Sequence, residues 1–321
     1  MTLLQVVFVC LLVGVGSQDQ NEPRKFALHS GDTHIQLQFT DIAWNGSKIS
    51  SKVQHVNIHG DPARLHAPAK GLTALGRELD FTWAELSKSE MEFQTGLLTG
   101  DAKVIFDQEE ALQSRQELAK TNQTPIPLAP TETSRMELTC ETLKYKGDIK
   151  TGQIDMPTAW TLHNLTKGTE IQHPPEGPLT VGFNQSFEAT GSKGTATVVQ
   201  KSDGTLGKIA TASFEGPVHF KVIRNETPVG SLVVSTAVYE GVADHMTVDL
   251  TTTPGTVKAE GHVVLDTKFP DVAGKGQQIS ANHTDGIDTL ILKIDEQLQP
   301  VSMQMIGSPG RTTIKTKGGS R

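Results

Sequence analysis

Three histidines near the start of the chain have the residue type of a metal site. His55 and His59 are four residues apart in a stretch that alternates like a β-strand, and His66 follows them. A strand rises about 3.3 Å per residue, so His55 and His59 would lie about 13 Å apart on one face, too far to share one ion. The spacing therefore favours solvated surface histidines over a metal centre.

Motifs that carry enzyme chemistry are absent from the sequence. It contains no Gly-x-Ser-x-Gly elbow, no His-Glu-x-x-His motif and no Cys-x-x-Cys pair. The Gly-Lys-Gly at 274–276 lacks the rest of a phosphate loop, and Glu109 and Glu110 lie in a polar stretch typical of a solvated face. We therefore expect no catalytic residues, no metal ion and no cofactor, and a protein that is not an enzyme.

Composition and charge narrow the possible binding partners and the fold class. The 321 residues carry a net charge of −7 and no Lys/Arg-rich block, which argues against a nucleic-acid partner. Aromatic residues make up only 5%, but 30 glycines bring the apolar content close to that of a folded protein. Abundant Thr with Val and Ile favours strands, so the sequence predicts an all-β fold with little helix.

The first 16 residues form a segment of their own. They contain an uncharged apolar run that is short of the roughly 20 residues needed to span a membrane, and Gly14-Val15-Gly16 has the small-x-small pattern of a cleavage site. Residues 1–16 are therefore interpreted as a signal peptide, with an N-terminal membrane anchor as the alternative because no Lys or Arg precedes the run. Cleavage would leave Cys140 as the last cysteine, which we expect to be a buried thiol.

A short sequence motif recurs along the chain, in which a glycine precedes alternating apolar and polar residues. In Phe93–Gln108 it predicts a turn at Gly100–Asp101 and then a strand that points Ala102, Val104 and Phe106 to one side. The spacing is 40 residues from Gly60 to Gly100, 45 from Gly216 to Gly261 and 46 from Gly261 to Gly307. Such a period indicates a fold built from a repeated unit of strands.

Breaks in the pattern suggest boundaries. Residues 108–134 are a polar, Pro-containing excursion that we expect to be partly helical or disordered, and residues 166–178 are interpreted as a Pro-rich linker. The chain would then consist of a first half over 26–165 and a second half over 179–317. The sequence leaves open whether the halves form one continuous structure or two that hinge.

The repeated motif resembles the repeat of the lipopolysaccharide-transport family with the LptA/OstA-type fold, to which LptC is related. The resemblance covers most of residues 30–315, and Pro157 departs from it where the family has Gly. It is carried by Leu143-Lys-Tyr145-Lys-Gly147, Phe214-Glu-Gly216-Pro-Val218, Ala237-Val-Tyr239-Glu-Gly241 and Ala259-Glu-Gly261-His-Val263.

The resemblance implies a β-jellyroll, two sheets opened like a V, as one stack or two tandem halves. It also implies a non-enzymatic periplasmic protein, anchored to the inner membrane if residues 1–16 are retained, that shields the acyl chains of a lipopolysaccharide-type glycolipid on the way to the outer membrane. Its partners would be the glycolipid and other jellyroll proteins added at edge strands, with head-to-tail self-association.

The alternation of each strand selects ten apolar residues as the lining of such a groove. They are Leu79, Phe81, Phe93, Val104, Phe106, Val218, Phe220, Val222, Val263 and Leu265. The same pattern fits a sealed sandwich core. The alternative function is therefore a secreted structural or adhesive β-solenoid that binds carbohydrate or protein.

Overall fold

The chain is almost entirely β-strand. The computed structural model describes residues 23–30, 33–45, 53–87, 90–147, 151–172, 177–200, 206–232, 234–268, 279–294, 300–307 and 311–316. They contain 17 strands, one α-helix and one short 3-10 turn, which confirms the predicted all-β class. The signal-peptide prediction for residues 1–16 and the Gly-Lys-Gly at 274–276 lie outside the described residues.

The elements follow one another along the chain with short connections. They are β1 (Arg24–Ser30), β2 (Thr33–Phe39), β3 (Asp41–Asn45), β4 (Val53–Ala67), the 3-10 turn (Pro68–Lys70), β5 (Leu72–Ser87), β6 (Glu90–Asp107), α1 (Gln108–Asn122), β7 (Glu132–Gly147), β8 (Thr151–Met156), β9 (Trp160–Gln172), β10 (Leu179–Gly191), β11 (Lys193–Gln200), β12 (Leu206–Pro228), β13 (Ser235–Asp249), β14 (Gly255–Lys268), β15 (Ile279–Ile294), β16 (Pro300–Ile306) and β17 (Arg311–Thr316).

The strands pair antiparallel in two ladders. The first layer runs through β1, β2, the second half of β4, the first half of β5, the second half of β6, the first half of β7, β9, β10, the second half of β12, the first half of β13, the second half of β14, the first half of β15 and β17. The second layer runs through β3, the complementary halves of the same long strands, β8, β11 and β16.

The long strands bend where they pass from one layer to the other, and the recurring glycines lie at these bends. The pairing register shifts there in β4, β5, β6, β12, β13 and β14. Gly100, Gly216 and Gly261 have φ of +71°, +85° and +72°, a left-handed conformation that glycine adopts without steric penalty. The turn predicted at Gly100–Asp101 is therefore a bend inside one continuous strand.

The middle of the molecule links the two layers into a ring. β7 pairs with β8 and β9, β12 pairs with β11 and β10, and the pairs β8–β11 and β9–β10 complete the circuit. These six strands thus form a closed set of hydrogen-bonded neighbours. The ring joins the chain regions that the sequence assigned to separate halves.

A large core lies between the layers because each strand directs alternate apolar side chains inward. Ile35 and Leu37 of the first layer and Val56 and Ile58 of the second are at most 1% exposed and belong to one cluster. Near the bends the indole of Trp160 meets the Phe214 ring of the opposite layer, with centroids 4.7 Å apart. This cluster extends to Met246, well beyond the predicted linker.

The predicted linker is wrong for residues 166–172. They belong to β9, which pairs with β10 along its whole length, from Gln172 opposite Leu179 to Trp160 opposite Gly191. The proline-rich stretch thus connects two strands of one hairpin, and residues 173–176 within it lie outside the described part of the chain. The sheet is continuous across this hairpin.

The predicted excursion at 108–134 contains the single α-helix of the described residues. Asp107 begins it by accepting hydrogen bonds from the backbone N–H groups of Glu109 and Glu110, at 3.0 and 3.1 Å, and these acidic residues suit a helix N-terminus. Its buried Ala111 packs beside the 3-10 turn that follows β4. The helical part of the prediction is therefore confirmed, and β7 begins at Glu132.

Candidate functional site

The ten residues predicted to line a groove all lie in described strands. Leu79, Phe81, Val104 and Val218 belong to the main core, against which Phe93, Phe106 and Phe220 pack while partly buried. Val263 and Leu265 belong to a smaller cluster that Phe220 joins to the main core. Val222 is partly buried on β12, opposite Phe187 of β10 and Tyr239 of β13. The sequence therefore identified interior positions, and lipid binding at them stays a prediction.

The interior is well buried towards its N-terminal end. Phe26 of β1 and Ile42 of β3 cover the main core, and Ile35, Leu37, Val56 and Ile58 are almost inaccessible to solvent. Helix α1 packs against the 3-10 turn between β4 and β5, where the Nε2 atom of His66 lies 3.3 Å from a carboxylate oxygen of Glu110. This part of the interior has the burial of an ordinary sandwich core.

Several inward-facing apolar side chains between β10 and β15 are only partly buried. They are Phe187, Phe220 and Val222 on the first layer and Val248 and Val257 on the second. Partly buried apolar side chains also lie in the N-terminal region, at Phe26, Ile42 and Phe93, and Val218 and Val263 between β10 and β15 are fully buried.

The apolar inner face continues to the C-terminal edge. Met303 and Met305 of β16 lie opposite Leu292 and Leu290 of β15, and residues opposite each other in an antiparallel pair share a face. Both methionines and Val301 are exposed. Among the described strands, β16 and β17 pair on one side only, with β15.

A polar network stands at the inner face of the first layer, near the ends of β9, β10 and β12. Arg224 is at its centre, with a side chain only 7% exposed. Its guanidinium lies 2.7 Å from a carboxylate oxygen of Glu170 and donates to Glu226 at 2.6 Å and to Gln185 at 3.3 Å. The amide of Gln172 donates to both carboxylates, at 2.9 and 3.2 Å.

Hydrogen bonds and charge attraction within the network offset the cost of burying the Arg224 charge. Burial opposes the charge on Arg224, but hydrogen bonds and attraction from Glu226 and Glu170 outweigh it and raise the pKa of the guanidinium. The guanidinium also lies 4.4 Å above the centroid of the Phe183 ring, within cation–π range. Burial raises the pKa of the nearby Tyr239 phenol. One cation and two carboxylates leave the network with a charge of −1.

Sequence reasoning missed this network, although one signal was present. On β12 the residues Val218, Phe220, Val222 and Arg224 alternate onto the same face. The pattern therefore placed a charged residue at the end of an apolar series. Its partners on β9 and β10 are not identifiable from spacing, because they are distant in sequence.

The histidines do not come together as a metal site. His55 Nε2 lies 2.8 Å from Asp80, and His59 Nε2 lies 3.9 Å from Glu78, so each has its own carboxylate on β5. Nowhere in the described ranges do three His, Cys, Asp or Glu side chains gather as metal ligands. Cys140 is a free, buried thiol, as predicted, and burial raises its pKa to about 11.

Comparisons with known proteins leave the chain without an assigned family. No family model, curated protein or solved structure matches it. Among the described residues, no helix is long and apolar enough to cross a membrane.

Proposed function

We propose that this protein is a non-enzymatic lipid carrier that holds acyl chains of a lipopolysaccharide-type glycolipid in its interior between β10 and β15. The observation that carries the proposal is the partly accessible apolar interior at Phe187, Phe220 and Val222. In this proposal the fold is a β-jellyroll of the LptA/OstA type, whose two layers diverge to admit the lipid. The protein would work in the periplasm.

The width of the proposed site matches the length of an acyl chain. In the first layer, β10, β12, β13, β14 and β15 are consecutive neighbours, so at about 4.8 Å per strand they span about 19 Å. One acyl tail spans half of the hydrocarbon core of a bilayer, which is about 15 Å. Each buried CH₂ stabilises the complex by about 0.8 kcal/mol, so several tails need no covalent attachment.

The Arg224 network gives the proposed site a polar boundary. Val222, two residues away on the same face, belongs to the apolar part, whereas Arg224, Glu170 and Glu226 are charged. Acyl chains would lie on the Val222 side, because burying a charge against hydrocarbon is unfavourable. The polar part of the glycolipid would lie towards the network and the adjoining strand ends.

The edge strands are the proposed contacts with partners. Among the described strands, β1 and β3 at one end and β16 and β17 at the other have a neighbour on one side only. Such strands offer unpaired backbone groups to an added strand. Other jellyroll proteins, or further copies of this chain arranged head to tail, would extend the interior through these ends.

The test is retention of lipid by matched variants. Val222→Phe fills the interior with an apolar side chain, and Ile223→Phe makes the same change on the opposite face of the same strand. The full chain is expressed in a bacterium that makes lipopolysaccharide and purified without detergent, and its extracted lipids are quantified by mass spectrometry.

We expect glycolipid with the native chain and the Ile223→Phe variant, and much less with Val222→Phe. Absence of lipid from folded native protein would contradict the proposal. That outcome would favour the structural or adhesive β-solenoid with a sealed core.

A further inference from the structure

Most of the deeply buried polar side chains that the structure describes lie on one part of the inner face. Five polar or charged residues in the described ranges are at most 9% exposed. Four of them lie on the first layer between β9 and β15, around the proposed lipid site: Thr166, Arg224, Thr267 and Thr284. The fifth, Thr73, lies on β5. A buried polar group lowers stability unless it is hydrogen-bonded, so each of these side chains needs a partner.

The Thr267 hydroxyl differs from the others because it lacks such a partner. The hydroxyls of Thr73, Thr166 and Thr284 each have a side-chain partner, at 2.8, 3.2 and 3.4 Å. Arg224 lies between its two carboxylates. Thr267 is only 5% exposed, and its hydroxyl has no hydrogen-bond partner among the described residues. The folded chain therefore holds an unpaired hydrogen-bond donor inside the proposed site.

The position of Thr267 is between an apolar part and a charged part of the inner face. Nearer the bends, Val218 of β12 and Val263 of β14 are fully buried. Thr267 lies four residues beyond Val263 on β14, opposite Tyr239 of β13. On β12 the next inward-facing position after this level is Arg224, the centre of the charged network. The inner face thus changes from apolar to hydrogen-bonding to charged along the strands.

A lipid with acyl chains has its chemical groups in the same order. Its hydrocarbon tails are joined to a polar head through ester or amide carbonyls, which accept hydrogen bonds. A threonine hydroxyl donates one hydrogen bond, so a carbonyl at this level would satisfy Thr267. The neighbours of Thr267 on β13 and β15, Tyr239 and Asn282, are only partly buried and carry further hydrogen-bonding groups. An ether-linked lipid has no carbonyl to place there.

We propose that the Thr267 hydroxyl donates a hydrogen bond to a carbonyl that links an acyl chain to its head, so that the site prefers ester- and amide-linked lipids to ether-linked ones. A rotation of the Tyr239 or Asn282 side chain gives the carbonyl access to the hydroxyl. The inference rests on the lipid-carrier proposal and names the class of lipid that the carrier takes.

The first measurement uses the full chain freed of lipid. Thr267→Val nearly preserves the shape of the side chain and removes the unpaired hydroxyl, so it should raise the midpoint of urea unfolding. Thr73→Val is the matched control at a buried threonine whose hydroxyl has a partner, and it should lower the midpoint. A lower midpoint for Thr267→Val would show that its hydroxyl is already hydrogen-bonded in the protein, and would overturn the proposal.

The second measurement compares two soluble glycolipids, a short-chain diacyl glucosylglycerol and its dialkyl ether analogue. Each is titrated calorimetrically into the native full chain and into both variants. The native chain and Thr73→Val should bind the ester form about fivefold more tightly than the ether form, which corresponds to one hydrogen bond. Thr267→Val should bind the two forms alike.

Two outcomes of the titration would overturn the carbonyl proposal and leave the lipid carrier intact. They are equal binding of the two forms by the native chain, and a preference for the ester form that persists in Thr267→Val. Binding of neither glycolipid and of no lipopolysaccharide by the folded native chain would contradict the lipid carrier itself, and this inference with it.

Discussion

Removal of the Arg224 guanidinium tests the buried network most sharply. Arg224→Ala leaves Glu170 and Glu226 near each other, with side chains only 19% and 28% exposed and no cation between them. Breaking a buried ion pair from one side costs about 3–5 kcal/mol, because the remaining charge is left uncompensated. We expect the free energy of unfolding to fall by that amount at pH 7. The measurement is urea unfolding followed by circular dichroism.

A surface ion pair supplies the matched control. Arg77 lies 3.6 Å from Asp101, and both side chains are more than two-thirds exposed. Exposed pairs contribute about 0–1 kcal/mol, so Arg77→Ala should have little effect. Equal effects of the two substitutions would refute the inference that Arg224 and its carboxylates behave as a buried ion-pair network.

A triple substitution separates charge from packing. Replacing all three charges, with Arg224→Met, Glu170→Leu and Glu226→Leu, should restore stability close to the native value, since apolar groups of similar size often replace buried ions without loss. A deficit that persists in the triple variant would indicate lost packing instead.

Other predictions concern a bend, an ion pair and a thiol. Gly216 and Gly230 both have φ of +85°, but a Cβ on Gly216 would collide with a neighbouring serine hydroxyl, whereas one on Gly230 meets nothing within 4 Å. Gly216→Ala should therefore cost clearly more in urea unfolding than the roughly 1 kcal/mol expected for Gly230→Ala, and equal costs would contradict the close approach of the serine at this bend. A hydrogen bond to Asp244 raises the pKa of His262, so this pair stabilises the fold fully below pH about 6.5 and loses its effect as the pH rises through the higher folded-state pKa. In NMR titration, Asp244→Asn should lower the imidazole pKa, and an unchanged pKa would refute the assignment. Cys140, with its raised pKa, should resist thiol reagents in native Cys10→Ser protein and react after unfolding; fast native reaction would contradict its burial.

The sequence was sufficient for those features that depend on local pattern. Alternation over two residues identified the interior side chains. The glycine at position 100 indicated a position where the backbone needs φ above zero, although the predicted turn is a bend inside β6. Composition was ambiguous at residues 166–178, where a hairpin connection uses the same Pro and Gly residues as a linker. The Arg224 network could not be predicted, because it depends on the pairing register of β9, β10 and β12, which local periodicity does not specify.

The lipid-carrier proposal is tested most directly by photocrosslinking from the interior. A photoreactive residue replaces Phe220, which packs inside, and in a second protein it replaces Lys221, which faces outward and lies 3.4 Å from Glu240. Each folded protein is irradiated with lipopolysaccharide. The proposal predicts lipid adducts at position 220 and none at position 221. Absence of adducts at position 220, or equal labelling at both positions, would contradict it.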